Sequence, residues 1–412
     1  MKNSIFLLVL LLLASSINII NSQWVLMSNG LGSQATNELA ANVNTIFAGG
    51  AGAYGGYGVF LSTNNGVNWI QTSQNWGSIS AFAVNGNNIF AGIWTHVSMG
   101  VYRSTDNGGS WTYSGLQSAG ILSLAFVDSI VLTGTGNGTF ISTNNGINWV
   151  QTNSGGPSSL AVRGNYIFGG GVNGVWLSTN YGVNWNYLGL GNQAVRSLAL
   201  NTNNVFAGTA NWMYPTGVYL STNNGTTWTS TSLNNRNVFA IAVSGYYVFG
   251  GTYNYGVYAS TNNGANWVQW NVGLGDLTIN ALCTFNGFVF AATNYGVYRR
   301  PLSELTGIKS VSNQIPNEFS LYQNYPNPFN PVTKIRFELP VGATRRVSLT
   351  VYDALGREIA SLVNDELNPG TYEVDWDASN YPPGGGQVPS GVYFYKLVAG
   401  DFTQTKKMIL LK

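Results

Sequence analysis

Acidic side chains, the groups best suited to acid–base chemistry, are rare in the first three hundred residues. Between residues 23 and 300 they are Glu38, Asp106, Asp128 and Asp276. Two carboxyl groups about 5 to 10 Å apart can cleave a glycosidic bond. The repeat described below places Asp106 in a turn motif and Asp128 at the opposite end of the fold. Glu38 and Asp276 are therefore the one candidate catalytic pair.

Other catalytic and metal-binding groups are scarcer still. His96 is the only histidine of the chain, which excludes a histidine-dependent triad and a histidine-rich metal site. Cys283 is the only cysteine, so no intramolecular disulfide forms, and we expect a buried thiol that acts as apolar filler. We predict no metal and no cofactor.

Aromatic residues are concentrated in segments rich in glycine, asparagine and threonine. Rings in such loops can stack on sugars or anchor a protein partner. The candidate ligand-binding residues are Tyr54, Tyr57, Trp76, Trp94, Trp212, Tyr214, Tyr253, Tyr255 and Trp270, together with the cations Arg196 and Arg236, and with His96 and Tyr295 in the same loops. The alternative is that these rings only pack the loops against the ends of the strands.

A repeated segment, Ser-Thr-Asn-Asn-Gly-x-x-Trp or a close variant, determines the elements that position these residues. Its copies begin at Ser62, Ser104, Ser142, Ser178, Ser221 and Ser260, so they are 36 to 43 residues apart. A period of about 40 residues is typical of a four-stranded propeller blade. In the second copy the pattern predicts strands over residues 79–84, 88–93, 100–104 and 110–113.

Strand counts predict how the ring closes. The second and third strands of the repeat occur seven times, whereas the tryptophan strand occurs six times. The isolated Trp24-Val25-Leu26 resembles Trp69-Ile70-Gln71. We therefore predict a seven-bladed β-propeller over residues 23–302, whose last blade is completed by the N-terminal strand, because this pairs edges that would otherwise stay open. Connections from second to third strands then share one face with the connections between blades, and the aromatic loops meet there.

The repeated segment resembles the Asp-box, Ser-x-Asp-x-Gly-x-x-Trp, of sialidase-like propellers with BNR repeats. The resemblance implies that the acidic position caps a turn, that Gly adopts positive φ and that Trp packs between blades. The acid is present only as Asp106, and asparagine replaces it at Asn64, Asn144, Asn180, Asn223 and Asn262. An amide oxygen can accept the same bonds.

The sialidase-like resemblance also implies an arginine triad and a tyrosine nucleophile paired with glutamate, but no Arg-Ile-Pro segment occurs here. The favoured function is therefore a non-catalytic propeller that binds a glycan or a protein partner. The alternative is a glycoside hydrolase with degenerate boxes. A third possibility is a scaffold similar to the photosystem II assembly-factor propeller.

Charge and hydropathy restrict the partners and the compartment. Between residues 23 and 300 there are six arginines and no lysine, which argues against binding to nucleic acid or to an anionic membrane. Residues 1–22 combine Lys2 with a short apolar run and small polar residues, as in a secretory signal peptide. No other run is long enough to span a bilayer, so we predict a mature chain without a transmembrane segment.

Composition changes after Pro301, where lysines and acids return. Residues 303–318 have no pattern and are predicted to be a linker. Short alternating strands are predicted at 334–338, 347–352, 370–375, 391–397 and 405–411, which indicates a small Ig-like β-sandwich over residues 319–412.

Four motifs of this last region, in this order, resemble the type A sorting domain of the type IX secretion system. They are Tyr-Pro-Asn-Pro-Phe-Asn-Pro at 325–331, Val-Tyr-Asp-Ala-Leu-Gly-Arg at 351–357, Ser-Gly-Val-Tyr-Phe-Tyr-Lys-Leu at 390–397 and Lys-Lys-Met-Ile-Leu-Leu-Lys at 406–412. The resemblance implies export by the type IX machinery through the outer membrane of a Gram-negative bacterium. It also implies removal of the domain, followed by release or by attachment to surface lipopolysaccharide.

Overall fold

The computed structural model describes residues 23–32, 34–51, 57–75, 77–94, 99–117, 119–202, 204–211, 213, 215–306, 308–312, 316–340, 345–367, 369–378 and 388–411. Within these residues the chain is almost entirely β, with thirty-six strands and one four-residue helix, α1 (Ser303–Thr306). No described helix has the length and apolar content needed to cross a membrane. The predicted signal peptide, residues 1–22, lies outside the described part.

The strands up to residue 301 are short and follow one another in hairpins. In chain order they are β1 Val25–Leu26, β2 Thr36–Ala41, β3 Ile46–Gly50, β4 Val59–Ser62, β5 Ile70–Gln71, β6 Ile79–Asn85, β7 Asn88–Ile93, β8 Gly100–Ser104, β9 Thr112–Gly115, β10 Ile121–Val127, β11 Ile130–Thr135, β12 Gly138–Ser142, β13 Val150–Asn153, β14 Ser159–Arg163, β15 Tyr166–Gly171, β16 Gly174–Ser178, β17 Asn186–Gly189, β18 Val195–Leu200, β19 Val205–Thr209, β20 Val218–Ser221, β21 Thr229–Ser230, β22 Val238–Ser244, β23 Tyr247–Thr252, β24 Gly256–Ser260, β25 Val268–Gln269, β26 Ile279–Phe285, β27 Phe288–Thr293 and β28 Gly296–Pro301.

These strands form seven four-stranded antiparallel sheets in a propeller-like arrangement. Sheets 1 to 6 are β2–β5, β6–β9, β10–β13, β14–β17, β18–β21 and β22–β25, and sheet 7 is β26–β28 with β1 at its outer edge. The first strand of each sheet contacts the first strand of the next, and β26 contacts β2, so the first strands form a closed ring. The predicted closure is confirmed, because Val25 pairs with Arg299 and Leu26 with Tyr298.

Second strands are covered on both faces, which explains their apolar and small residues. The five residues of β3, Ile-Phe-Ala-Gly-Gly, are all buried. A Cβ atom at Gly49 would lie 2.5 Å from the Cβ of Ile79 in the next sheet. At Gly251 it would lie 2.5 Å from Cγ2 of Ile279. Glycine at this position therefore lets neighbouring sheets approach closely.

The repeated box is a capped turn between third and fourth strands. In sheet 3 the Ser142 hydroxyl accepts the Gly146 N–H at 2.8 Å, and Asn144 Oδ1 accepts the Asn148 N–H at 2.9 Å. Gly146 has φ of 81°, as predicted. The Trp149 Nε1–H donates to the Ser114 carbonyl of the preceding sheet at 2.8 Å, so this ring bridges two sheets.

The remaining strands form a second region with two sheets. They are β29 Ile308–Ser312, β30 Ser320–Leu321, β31 Val332–Leu339, β32 Arg345–Asp353, β33 Glu358–Leu367, β34 Gly370–Asp377, β35 Gly391–Ala399 and β36 Phe402–Leu410. The sheet orders are β29-β34-β31-β30 and β33-β32-β35-β36. One core joins them, since Phe337 of the first sheet and Leu349 and Tyr395 of the second belong to a single buried cluster.

Two features of this second region differ from the sequence prediction. Strand β29 lies inside the predicted linker, residues 303–318, and pairs with β34, for example Ile308 with Val374. Strand β33 was not predicted, because polar Asn364, Asp365 and Glu366 break its apolar alternation. It is stabilised by antiparallel pairing with β32 along nearly its whole length. Both strands depend on a neighbouring edge rather than on their own pattern.

Candidate functional site at the centre of the ring

A cavity of about 200 Å³ lies where the seven first strands meet. Every sheet contributes lining residues, and most of them are serine, alanine, leucine or phenylalanine. Glu38 of sheet 1 and Arg196 of sheet 5 are the charged residues among the described lining. The cavity is therefore lined mainly by uncharged residues, with one carboxyl group and one guanidinium cation.

Arg196 reaches the cavity because of a β-bulge. In six of the seven sheets the pairing of the first and second strands shifts register after the first residue, and in sheet 5 the shift lies between Val195 and Ser197. A bulge re-aims the side chain of the extra residue. The equivalent residues of the other bulged sheets are Asn37, Ser80, Leu122, Phe239 and Asn280.

Glu38 directly follows Asn37, the bulge residue of sheet 1. It pairs with Gly49, and the six equivalent positions hold alanine or serine: Ala81, Ser123, Ser159, Ser197, Ala240 and Ala281. Burial raises the pKa of the Glu38 carboxyl to about 8, and a weak bond from the Leu39 N–H, at 3.3 Å, opposes this effect. The carboxyl is therefore mostly protonated at neutral pH.

Asp276, the other half of the candidate catalytic pair, has a structural role in its loop. Its two oxygens accept the N–H groups of Thr278 at 2.9 Å and Asn294 at 3.0 Å. Among the described residues that line the cavity, Glu38 is present and Asp276 is not. The structure thus gives each acid a different environment and does not bring the pair together in the cavity.

Five of the predicted aromatic residues lie in connections between second and third strands and are partly exposed. Their exposed fractions are 43% for Tyr57, 47% for Trp94, 37% for Tyr253, 45% for Tyr255 and 62% for Tyr295. We call these five residues the aromatic rim. They belong to sheets 6, 7, 1 and 2, which are consecutive in the closed ring.

Neighbouring groups hold two of these rings in place. The Arg236 guanidinium lies 4.0 Å from the centre of the Tyr255 ring. Phe239, which lines the cavity, contacts Tyr253 with ring centres 5.6 Å apart. The sequence analysis missed Phe239, although its position in the first-strand repeat, equivalent to Arg196, would have indicated it.

The other predicted ligand-binding residues have different outcomes. Trp270 is only 8% exposed and packs between Trp24, Phe249 and Arg300, so the prediction of a solvent-facing ring was wrong for this residue. Its loop folds back to cover the closing strand, which buries the ring. Tyr54, Trp76, Trp212, Tyr214 and His96 lie outside the described residues.

Cys283 stands on the first strand of sheet 7. Burial, followed by the nearby Glu38, raises the pKa of its thiol to about 12, so it is not a nucleophile at neutral pH. Among the described residues no group of three or more His, Cys, Asp and Glu side chains is arranged to hold a metal ion.

Comparison with known families identifies the second region. Residues 323–411 match the family described as the secretion system C-terminal sorting domain. This match indicates export by the type IX system and a location outside the cell or on the outer-membrane surface. No curated protein matches the sequence.

Solved structures with propeller folds resemble the chain at low identity. PorZ, a surface component of the type IX secretion system of Porphyromonas gingivalis, has 17% identity and a TM-score of 0.52, over 92% of this chain and 60% of that chain. A GH74 enzyme of Niastella koreensis has 15% identity and a TM-score of 0.52, over 93% and 74%. YCF48 bound to D1 peptide has 10% identity and a TM-score of 0.52, over 68% and 94%. At these identities the likeness shows the fold alone, and this chain spans about three fifths of the PorZ chain.

Proposed function

We propose that the chain is a secreted or surface-attached protein of a Gram-negative bacterium that binds a glycan or a protein partner without catalysis. In this proposal the seven sheets are the blades of one propeller with Asp-box-like turns, and the second region is an Ig-like sandwich that acts as the export signal. The aromatic rim is the binding surface. The observation that carries the proposal is the placement of five partly exposed rings on four consecutive sheets.

The chemistry of the rim supports binding rather than turnover. Exposed aromatic rings supply large contact areas with little loss of side-chain entropy, and Arg236 stacked on Tyr255 adds a donor beside one ring. Asp276, the acid of the rim loops, is engaged by two backbone N–H groups, whereas Glu38 lies in the central cavity.

Binding is tested with the full chain on a glycan array and on an array of surface-protein peptides. We expect Trp94→Ala and Tyr255→Ala each to weaken binding to the captured probe by about 1 to 3 kcal/mol, the effect of losing an aromatic anchor. Tyr187→Ala is the matched control, because this ring is 55% exposed but lies on the outer strand β17. Equal losses in the control and the rim variants would contradict the assignment of the rim.

A glycoside hydrolase is the second candidate, and one observation favours it. Glu38 is a carboxyl that stays protonated at neutral pH inside a cavity, which is the state required of a general acid. The full chain should therefore be assayed with chromogenic glycosides. Turnover that disappears in Glu38→Gln or Asp276→Asn would replace the binding-only proposal.

The export signal is tested by fusing residues 303–412 to a periplasmic reporter in a host with a type IX system. We expect the fusion to reach the surface or the medium, and deletion of residues 406–412 to prevent this. The deletion removes the buried Met408 and Leu410 from the core, so Lys407→Ala, an exposed position on the same strand, is the control that keeps the fold. Export of the deleted fusion at the full level would separate this strand from sorting.

A further inference from the structure

Arg196 differs from the other arginines of the ring because it has no partner. In the part of the chain that the structure describes, no hydrogen bond or ion pair involves its guanidinium. The other five are engaged: Arg103 with the Asn145 carbonyl (2.6 Å), Arg163 with that of Asn201 (2.7 Å), Arg236 with that of Asn235 (2.9 Å), Arg299 with that of Asn65 (2.5 Å) and Arg300 with the Glu304 carboxylate (2.5 Å).

Hydroxyl groups beside Arg196 also lack partners. Ser159 and Ser197 line the cavity on sheets 4 and 5, and the buried Oγ atom of each has no hydrogen bond. Ser159 is only 9% exposed. On sheets 2 and 3, Ser80 and Ser123 donate to the carbonyls of Ile121 at 2.6 Å and Pro157 at 2.7 Å. The Oγ atoms of Ser159 and Ser197 are enclosed between strands, since each would lie 2.4 Å from a Cβ atom on Gly170 or Gly208 of the second strand, so a ligand on this side of the cavity meets the exposed Arg196 instead.

We propose that this cavity binds the carboxylate of a ligand, which pairs with the exposed guanidinium of Arg196. The planar guanidinium matches a carboxylate through two parallel N–H bonds. A space of about 200 Å³ admits a small molecule or the end of a chain.

Glu38 makes the proposed site sensitive to pH. Its carboxyl, with a pKa of about 8, is a neutral hydrogen-bond donor below that pH and an anion above it. Among the described residues, the other ionisable groups around it are Arg196, across the cavity, and Cys283, whose thiol stays protonated because its pKa is about 12. A bound carboxylate is therefore repelled only after Glu38 ionises.

Ligand-observed NMR of the full chain with sodium propionate tests the site, with propionamide as the neutral control of the same shape. We expect saturable binding of propionate alone. Arg196→Gln should weaken it by about tenfold or more, the effect of losing a charged hydrogen bond. Arg163→Gln removes the same charge elsewhere in the ring and should leave binding unchanged. Arg196→Lys keeps the positive charge but loses the two parallel N–H donors of the guanidinium, and it should bind propionate with intermediate affinity.

Two further arms complete the experiment. Propionate binding should weaken as the pH rises through about 8, and Glu38→Gln should abolish that dependence. An acetylated tripeptide with a free C-terminal carboxylate distinguishes a chain end from a free small anion as the source of the group. Equal binding of propionate and propionamide, or native affinity in both Arg196 variants, overturns the proposal. A pH dependence that persists in Glu38→Gln overturns the role of Glu38.

Discussion

The ring of residues 25–301 and the sorting domain distribute their apolar cores in opposite ways. In the sorting domain one cluster of buried side chains joins both sheets. In the ring, buried side chains form separate clusters between neighbouring sheets, such as the one that contains Trp24, Phe249 and Ile279. A defect in the ring should therefore stay at one interface, whereas a defect in the sorting domain should spread through the whole core.

Charge separates the same two regions. Residues 23–300 contain six cations and four acids, and residues 301–412 contain ten cations and eleven acids. The sorting domain carries surface ion pairs such as Lys334 with Glu373, 2.7 Å apart, and exposed pairs of this kind stabilise little. The ring instead orders its surface with side-chain bonds to backbone in the repeated boxes. Hydrogen bonds in the boxes should therefore contribute more to the stability of the ring than surface ion pairs contribute to that of the sorting domain.

The largest effect is expected at the closure of the ring. Trp24 is 2% exposed, and its Nε1–H donates to the Trp270 carbonyl at 2.5 Å. Trp24→Ala should reduce the free energy of unfolding of the ring by about 3 to 5 kcal/mol, because it leaves a cavity at the joint. Hydrogen exchange should rise mainly in sheets 6 and 7. The control is Val25→Ala, at the next residue, which is 48% exposed. An equal loss there would show that the buried Trp24 ring is not what holds the joint.

A smaller but more widespread effect is expected in the sorting domain. The buried Tyr395 hydroxyl accepts the Asn324 N–H at 2.8 Å and donates to the Tyr322 carbonyl at 2.9 Å. Tyr395→Phe should cost about 1 to 3 kcal/mol, because both groups lose their partner. Exchange should rise in both sheets of the domain. The control is Tyr393→Phe, which removes one bond to the Pro389 carbonyl and should cost less. If exchange in Tyr395→Phe rose in one sheet alone, the two sheets would not share a single core.

The boxes test whether stability in the ring is local. Ser142→Ala removes the acceptor of the buried Gly146 N–H and should cost about 1 to 3 kcal/mol, visible in urea unfolding and in exchange of sheet 3. Asn144→Asp keeps an acceptor for the Asn148 N–H and should change stability by less than about 0.5 kcal/mol. If the aspartate variant lost as much as the alanine variant, the capping explanation would fail.

The smallest effect concerns the one aspartate in a box. Hydrogen bonds from Ser110 and then Ser104 lower the pKa of Asp106 from 3.8 to about 2. The folded state therefore gains stability from ionised Asp106 above its ordinary pKa and loses it as the pH falls toward about 2. The difference in melting temperature between the native chain and Asp106→Asn should therefore become smaller as the pH falls from 3.8 to about 2. A constant difference from pH 5 to pH 2 would show that the carboxylate is not held in this way.

Prediction from sequence succeeded where a feature repeats and failed where it depends on neighbours. The boxes and the pairing of β1 with β28 followed from spacing, because each copy of the repeat must form the same hairpins. The strands β29 and β33 did not, since each is stabilised by an edge that its own residues do not reveal. Trp270 was misjudged for a related reason, because the closing strand covers it.

The period, the strand-rich architecture, the scarcity of charge in the ring and the motifs of the sorting domain can all be read from the residues alone. These are properties of local pattern and composition. Which side chains share a site depends instead on how the sheets assemble. Their assembly buried Trp270, engaged both oxygens of Asp276 in its own loop, and brought Arg196 and Glu38 from sheets 5 and 1 to one cavity. A bulge in a first strand aims a side chain at the axis, and the axis exists only after all seven sheets have closed around it.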